Sequence, residues 1–182
     1  CSSDLGLESA RQAVASLKKG RRIEELEQFA LNDSMTGFYN RNAYDYFIYN
    51  EKNIKNYMVV TFDLNNLKMC NDNYGHSSGD AYIIHSAHII ETTFDRFGKC
   101  YRIGGDEFCC LIPDAAEFQI ERFIQKMQQD IAILNNKNII PTEVGIACGY
   151  ALATPDDADI EKVRERADEM MYHNKKVLKG LI

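Results

Sequence analysis

Two short stretches hold most of the side chains with chemical reach. The first runs Phe62-Asp63-Leu64-Asn65-Asn66-Leu67-Lys68 and continues through Asn71-Asp72 to Tyr74-Gly75-His76-Ser77-Ser78-Gly79-Asp80; the second is Arg102-Ile103-Gly104-Gly105-Asp106-Glu107-Phe108. Asp63 closes the apolar run Tyr57 to Leu64, and a carboxylate at the end of a buried strand is costly unless a partner or a cation compensates it. Asp106 and Glu107 follow paired glycines, a hairpin signal because Gly tolerates positive φ. Such a tip lets backbone amides approach an anion and leaves the carboxylates projecting outward. If the hairpin strands lie next to Tyr57–Leu64, Asp63 and Asp106 converge across neighbouring strand ends. Carboxylate oxygens, a backbone carbonyl and phosphate oxygens together make the octahedral oxygen site that Mg²⁺ or Mn²⁺ prefers. Hard cations held between strand carboxylates and a nucleoside triphosphate are how polymerases activate a 3′-hydroxyl against an α-phosphorus, so these residues point to nucleotidyl transfer. Neither G-x-x-x-x-G-K-[ST] nor G-x-G-x-x-G occurs, which disfavours P-loop and Rossmann phosphate binding.

The elements that must position these groups are legible as hydrophobic periods. Leu5 to Leu31 lacks Pro and repeats apolar residues at three- and four-residue steps, the pattern of a helical stalk interrupted by Gly20; its Lys18-Lys19-Gly20-Arg21-Arg22 run reads as a solvated face. Asn40 to Asn53 forms a Tyr/Phe-rich helix whose aromatics, with Tyr39, Tyr44, Tyr46, Phe47 and Tyr49, read as packing residues. Tyr57 to Leu64 is a buried central strand. A polar loop with Gly75 and Gly79 leads to a helix from Asp80 to Phe94. Strands Lys99–Ile103 and Glu107–Ile112 follow, then a helix from Ala115 to Asn135, a strand from Glu143 to Leu152 and a helix from Asp159 to Lys179. The order β-α-β-β-α-β-α after a leading helix predicts an α+β fold of ferredoxin-like, palm type: a central sheet with antiparallel strands, flanked by helices. The division is a stalk over residues 1–32 and a globular body over 33–182.

The 182 residues suit one domain, and 45% hydrophobic residues supply a core. The balance of 21 Lys+Arg against 27 Asp+Glu gives a net charge of −6, which disfavours passive binding to nucleic acid or anionic membrane; a phosphate-bearing ligand must be held locally. Cys1, Cys70, Cys100, Cys109, Cys110 and Cys148 show no C-x-x-C spacing and read as reduced, buried thiols of a cytoplasmic protein, not as a disulfide or zinc framework. His85 and His88, three apart, read as a helix face. No run of apolar residues is long enough to span a bilayer, although an upstream part of the full-length protein is free to be membrane-anchored.

Gly104-Gly105-Asp106-Glu107-Phe108 spells the signature of the GGDEF family, the bacterial diguanylate cyclases, and further motifs stand in order around it. Asp33-Ser34-Met35-Thr36-Gly37-Phe38-Tyr39-Asn40-Arg41 resembles the opening D-x-L-T-G-L-x-N-R. Phe62 to Asp80 resembles F-D-x-D-x-F-K-x-x-N-D-x-x-G-H-x-x-G-D, and Ala167 to Lys175 resembles the closing A-D-x-A-L-Y-x-A-K. The resemblance covers roughly Asp33 to Lys179.

What it implies is a cyclase that condenses two GTP into cyclic di-GMP and two pyrophosphates in bacterial second-messenger signalling. Asp63, Asp106, Glu107 and the Leu64 backbone carbonyl would hold two Mg²⁺ or Mn²⁺ ions per GTP site. Asp106 or Glu107 would activate the 3′-hydroxyl, and Lys68 would stabilise phosphate charge. Lys175 and Lys179 would hold the terminal phosphates, Asn71 and Asp80 would read guanine, and His76, Gly104 and Gly105 would line the nucleotide site. A carboxylate suits guanine's N1–H and N2–H₂ donors, which adenine lacks. Each domain would bind one GTP and pair as a homodimer, with an upstream sensor acting through the stalk. The alternative is a catalytically silent GTP-binding regulatory module. Several positions depart from the pattern: Asn65 replaces an Asp, Leu67 an aromatic and Lys179 a frequent Arg. At the inhibitory product site, R-x-x-D five residues before the signature, Asp95 and Gly98 stand instead, so feedback through it is expected to be absent.

Overall fold

The computed structural model describes residues 19, 22, 30–51, 53, 55–115 and 119–178. The expected stalk therefore falls largely outside the described residues, as does Lys179. The described elements are α1 (Arg41–Asn50), β1 (Met58–Leu64), α2 (Leu67–Tyr74), α3 (His76–Phe94), β2 (Lys99–Arg102), β3 (Glu107–Ile112), α4 (Ile120–Asn136), β4 (Ile146–Leu152) and α5 (Ile160–Leu178).

The four strands form one antiparallel sheet in the order β2-β3-β1-β4, the ferredoxin-like arrangement. β1 is central, and all seven of its residues are buried, which explains why it reads as a continuous apolar run. Alternation along β1 divides the core. Met58, Val60, Phe62 and Leu64 face α2, α3 and α4, where Leu67, Cys70, Tyr82, Ile90, Met127 and Leu134 complete the larger cluster. Val59 faces α1 and α5 with Tyr44, Tyr101, Ile160, Val163 and Ala167. By the same alternation Asp63 points to the α5 side.

Local chemistry sets the boundaries. Asn40 caps α1 by accepting from the Ala43 amide at 3.0 Å. Gly75, at φ 83°, separates α2 from α3. The residues expected as a polar loop are thus two helices meeting at a glycine, and α3 begins at His76, not Asp80. The helix expected from Ala115 begins at Ile120. The buried Tyr82 hydroxyl donates to the Asn65 carbonyl at 2.7 Å and accepts from the Gly145 amide at 2.7 Å, tying the end of β1 to the approach to β4. At Gly149 of β4 an added Cβ would lie 2.2 Å from the Ala167 carbonyl and the Met171 amide, so the backbone of α5 rests directly on the strand. The expected aromatic cluster divides: Tyr44 is fully buried, whereas Tyr46 and Tyr49 are exposed. Cys70, Cys100, Cys109, Cys110 and Cys148 are free and buried.

Candidate active site

β3 is hydrogen-bonded to β1 with Glu107 opposite Asp63, so the two strand ends that carry carboxylates are neighbours. The hairpin tip is fastened to β1 as well, because the Leu64 amide donates to the Asp106 carbonyl at 3.0 Å. Those two contacts bring the signature against the end of the central strand.

The role of the signature glycines differs from the sequence expectation. Neither Gly104 nor Gly105 has positive φ; among the described glycines only Gly37 and Gly75 do. A Cβ on Gly104 would lie 2.8 Å from Glu107 Oε2, so this glycine makes room for the Glu107 carboxylate. Nothing lies within 4 Å of the Cβ position of Gly105, which leaves its backbone open to close approach. The requirement is space, not a left-handed turn.

Beside the tip lies a cleft of about 470 Å³ whose walls include Leu64, Asn66, Lys68, Asp72, Asp106 and Lys175. β1, the hairpin tip, α2 and α5 each contribute, and Lys175 reaches from its wall to a residue 112 positions away, its Nζ standing 2.5 Å from Asp63 Oδ1. Asp63 is buried, and the ammonium supplies the compensation that its position demands. Asn66, with φ 60°, turns the chain from β1 into α2 and lines the cleft. Sequence reading did not single out Asn66; its left-handed conformation, which Asn tolerates better than most residues, is the physical signal it carried.

Asn71 and Asp80 are brought together on the helical pair. A Cβ on Gly79 would lie 1.9 Å from Asn71 Oδ1, so the Asn71 side chain lies on the bare turn of α3 immediately before Asp80. Asp80 and His76 are exposed on α3 and do not line the 470 Å³ cleft. His85 and His88 sit farther along the same helix, with His88 beside Glu91 at 3.5 Å.

Asp33 and Arg102 form a second fixture. The Arg102 guanidinium bonds Asp33 Oδ1 at 3.2 Å and donates to the Gly105 carbonyl at 2.8 Å, joining the opening turn to the signature tip. Burial pushes the Asp33 carboxyl up, but hydrogen bonds from the Thr36 amide and hydroxyl and the Arg102 charge outweigh it and hold the group below its ordinary 3.8. On α5, Asp168 is raised by burial despite its pairing with Arg164 at 2.7 Å.

The two positions that stand in place of the family's R-x-x-D are committed to other packing. Asp95 caps α3 in helical geometry, and a Cβ on Gly98 would lie 2.2 Å from the Leu111 carbonyl. The backbone at 98 has no room for the missing Asp.

An antiparallel ferredoxin-like sheet whose strand ends bring carboxylates and lysines to one cleft is the layout of a palm-type nucleotide cyclase domain. The chain belongs to the GGDEF family: the family described as "Diguanylate cyclase, GGDEF domain" matches residues 30–179. It is 31% identical over 157 residues to the diguanylate cyclase DgcN of Escherichia coli K12, covering 83% of this chain and 38% of that protein. It is 30% identical over 175 residues to the bifunctional diguanylate cyclase/cyclic di-GMP phosphodiesterase MucR of Pseudomonas aeruginosa, covering 91% of this chain and 25% of that one. The chain thus spans well under half the length of these two relatives. Its fold matches the coiled coil and GGDEF domain of DgcB from Caulobacter crescentus, a structure in complex with c-di-GMP, with TM-score 0.76, 23% identity and coverage of 92% and 94% of the two chains. No described helix is long and apolar enough to cross a membrane.

Proposed function

We propose that this chain is a diguanylate cyclase body that joins two GTP into cyclic di-GMP with release of two pyrophosphates. The observation that carries the reading is the single cleft in which Asp106, Lys68 and Lys175 meet beside Asp63. In each half-reaction the 3′-oxygen of one GTP forms a bond to the α-phosphorus of the other, the bond from that phosphorus to the bridging oxygen breaks, and pyrophosphate leaves. The hydroxyl proton passes to a signature carboxylate, Asp106 or Glu107. Lys68 offsets phosphate charge, Lys175 and Lys179 hold the terminal phosphates, and Asn71 with Asp80 accepts the guanine donors, with His76 and the Gly104-Gly105 backbone at the edge of the nucleotide.

Three carboxylates and a backbone carbonyl shared between two ions suit Mg²⁺ or Mn²⁺, because small hard cations are usually held by one or two carboxylates each, together with substrate phosphates. The residues that would hold two such ions are Asp63, Asp106, Glu107 and the Leu64 carbonyl. Bound there, a divalent cation supplies Lewis-acid activation of the 3′-hydroxyl and neutralises phosphate charge. Among the described residues no three His, Cys, Asp or Glu side chains cluster as a ready-made metal cage.

The product is two-fold symmetric, so the simplest catalyst is an antiparallel homodimer, each copy presenting its 3′-hydroxyl to the partner's α-phosphate. We assign residues 33–182 to this body, acting in the cytoplasm, and 1–32 to a stalk linking it to an upstream sensor, with no nucleic-acid partner. Incubation with GTP and Mg²⁺ is expected to yield cyclic di-GMP, and Asp106→Ala to abolish it; a folded dimer that binds GTP without yielding product would mark a silent regulatory module instead.

A further inference from the structure

We propose that Lys175 is an exchangeable counter-ion: it neutralises Asp63 while the site is free of nucleotide and releases it when a triphosphate arrives, so that metal and nucleotide bind together. This rests on the cyclase reading above. The ammonium occupies Asp63 Oδ1 at 2.5 Å, with the two side chains 23% and 12% exposed. In so sheltered a place, one carboxylate oxygen cannot serve an ammonium and a divalent cation without close cation–cation repulsion. Lys175 therefore competes for the ligand that a metal needs.

The pair is fixed by the fold on both sides. Asp63 is held in the sheet between Glu107 and Ala147. Lys175 lies on α5, whose backbone is seated on Gly149. Lys175 also lines the cleft, with Lys68 on another wall, so phosphates entering there meet an ammonium already at the wall. A triphosphate carries more negative charge than one carboxylate and draws Lys175 away; the cation that accompanies it then compensates Asp63. Asp63 is compensated in both states, which avoids the cost of a lone sheltered charge. Mg²⁺ gives up its waters reluctantly, so a site blocked in this way stays empty until phosphates help to fill the coordination shell.

The test is Mn²⁺ binding to the full chain, read by electron paramagnetic resonance with and without a GTP analogue carrying a methylene between the α- and β-phosphorus. Lys175→Met is expected to tighten nucleotide-free Mn²⁺ binding by about tenfold or more and to erase most of the gain that the analogue gives the wild type, whereas Lys68→Met changes it by less than about threefold. Lys175→Arg keeps the weak wild-type binding. Equal gains from Lys175→Met and Lys68→Met would reduce the effect to general field and overturn the proposal, as would no gain from Lys175→Met. Should Lys175→Met fold poorly, Lys175→Gln is read against the same two outcomes. GTP turnover by the wild type is assayed alongside: its absence would sink the cyclase reading, while the nucleotide-free isotherms still decide the exchange.

Discussion

Asp80 and Asp33 show how differently two carboxylates are used on one chain. Asp80 is exposed at the start of α3, beside the Asn71 amide that lies on Gly79, and is free to accept from a ligand. Losing a charged acceptor for two guanine donors costs about 1.5 to 3 kcal/mol, so Asp80→Ala should lower kcat/KM for GTP by about 10- to 100-fold and narrow the preference over ATP. Steady-state kinetics with both nucleotides checks this; unchanged preference would remove Asp80 from guanine reading. Asp33 has internal partners in Thr36 and Arg102. Its folded value lies below the ordinary 3.8, so its contribution to stability is present above that value and is lost as pH falls through the lower folded value. Denaturation of wild type and Asp33→Asn should therefore differ at neutral pH, draw together as pH falls below 3.8 and converge only below the lowered folded value. A gap that persists there would remove the ionised pair as its cause.

At the scale of elements, two glycines set packing distances. Gly149→Ala places a methyl group 2.2 Å from the Ala167 carbonyl, so α5 must lift from β4. Overpacking of this kind costs about 1 to 3 kcal/mol, measurable by denaturant unfolding, and should also weaken nucleotide binding because Lys175 rides on the lifted helix. Gly98 makes a parallel prediction. Replacing Asp95 with Arg and Gly98 with Asp should lower Tm through the contact with the Leu111 carbonyl and install no product inhibition; a potent inhibition constant for cyclic di-GMP in that variant would refute the steric argument. β1 and β3 were legible as continuous buried apolar runs, and α4 and α5 as helices with a regular apolar face. α2 was not legible: in LKMCNDNY only Leu67 and Cys70 are buried, and Gly75 and Gly79 masked the start of α3. Gly79 is helical and bare because Asn71 needs the space. The motifs named Asp63, Asp106 and Lys175, but the ion pair between residues 63 and 175 depends on strand order and on the seating of α5, which no local spacing encodes.

For the whole molecule, the net charge of −6 and the candidate function are reconciled by placement. Lys68 and Lys175 stand at one cleft, and Asp106 lines it beside Asp63, so on the proposed function a polyanion would be met there by local charge and its accompanying cations, not by a basic surface. The chemistry of a two-fold product sets the remaining requirement. On the proposed reaction one chain would supply one nucleotide site, and two such sites would have to stand face to face. The measurement that tests this most directly is the rate of cyclic di-GMP formation from GTP and Mg²⁺ as a function of protein concentration, with product identified by mass. The account predicts a rate per chain that rises with concentration until the dimer saturates, and none with Asp106→Ala. Formation of product at a constant rate per chain down to concentrations where only monomer is present, or GTP binding by a confirmed dimer with no cyclic product, would contradict it.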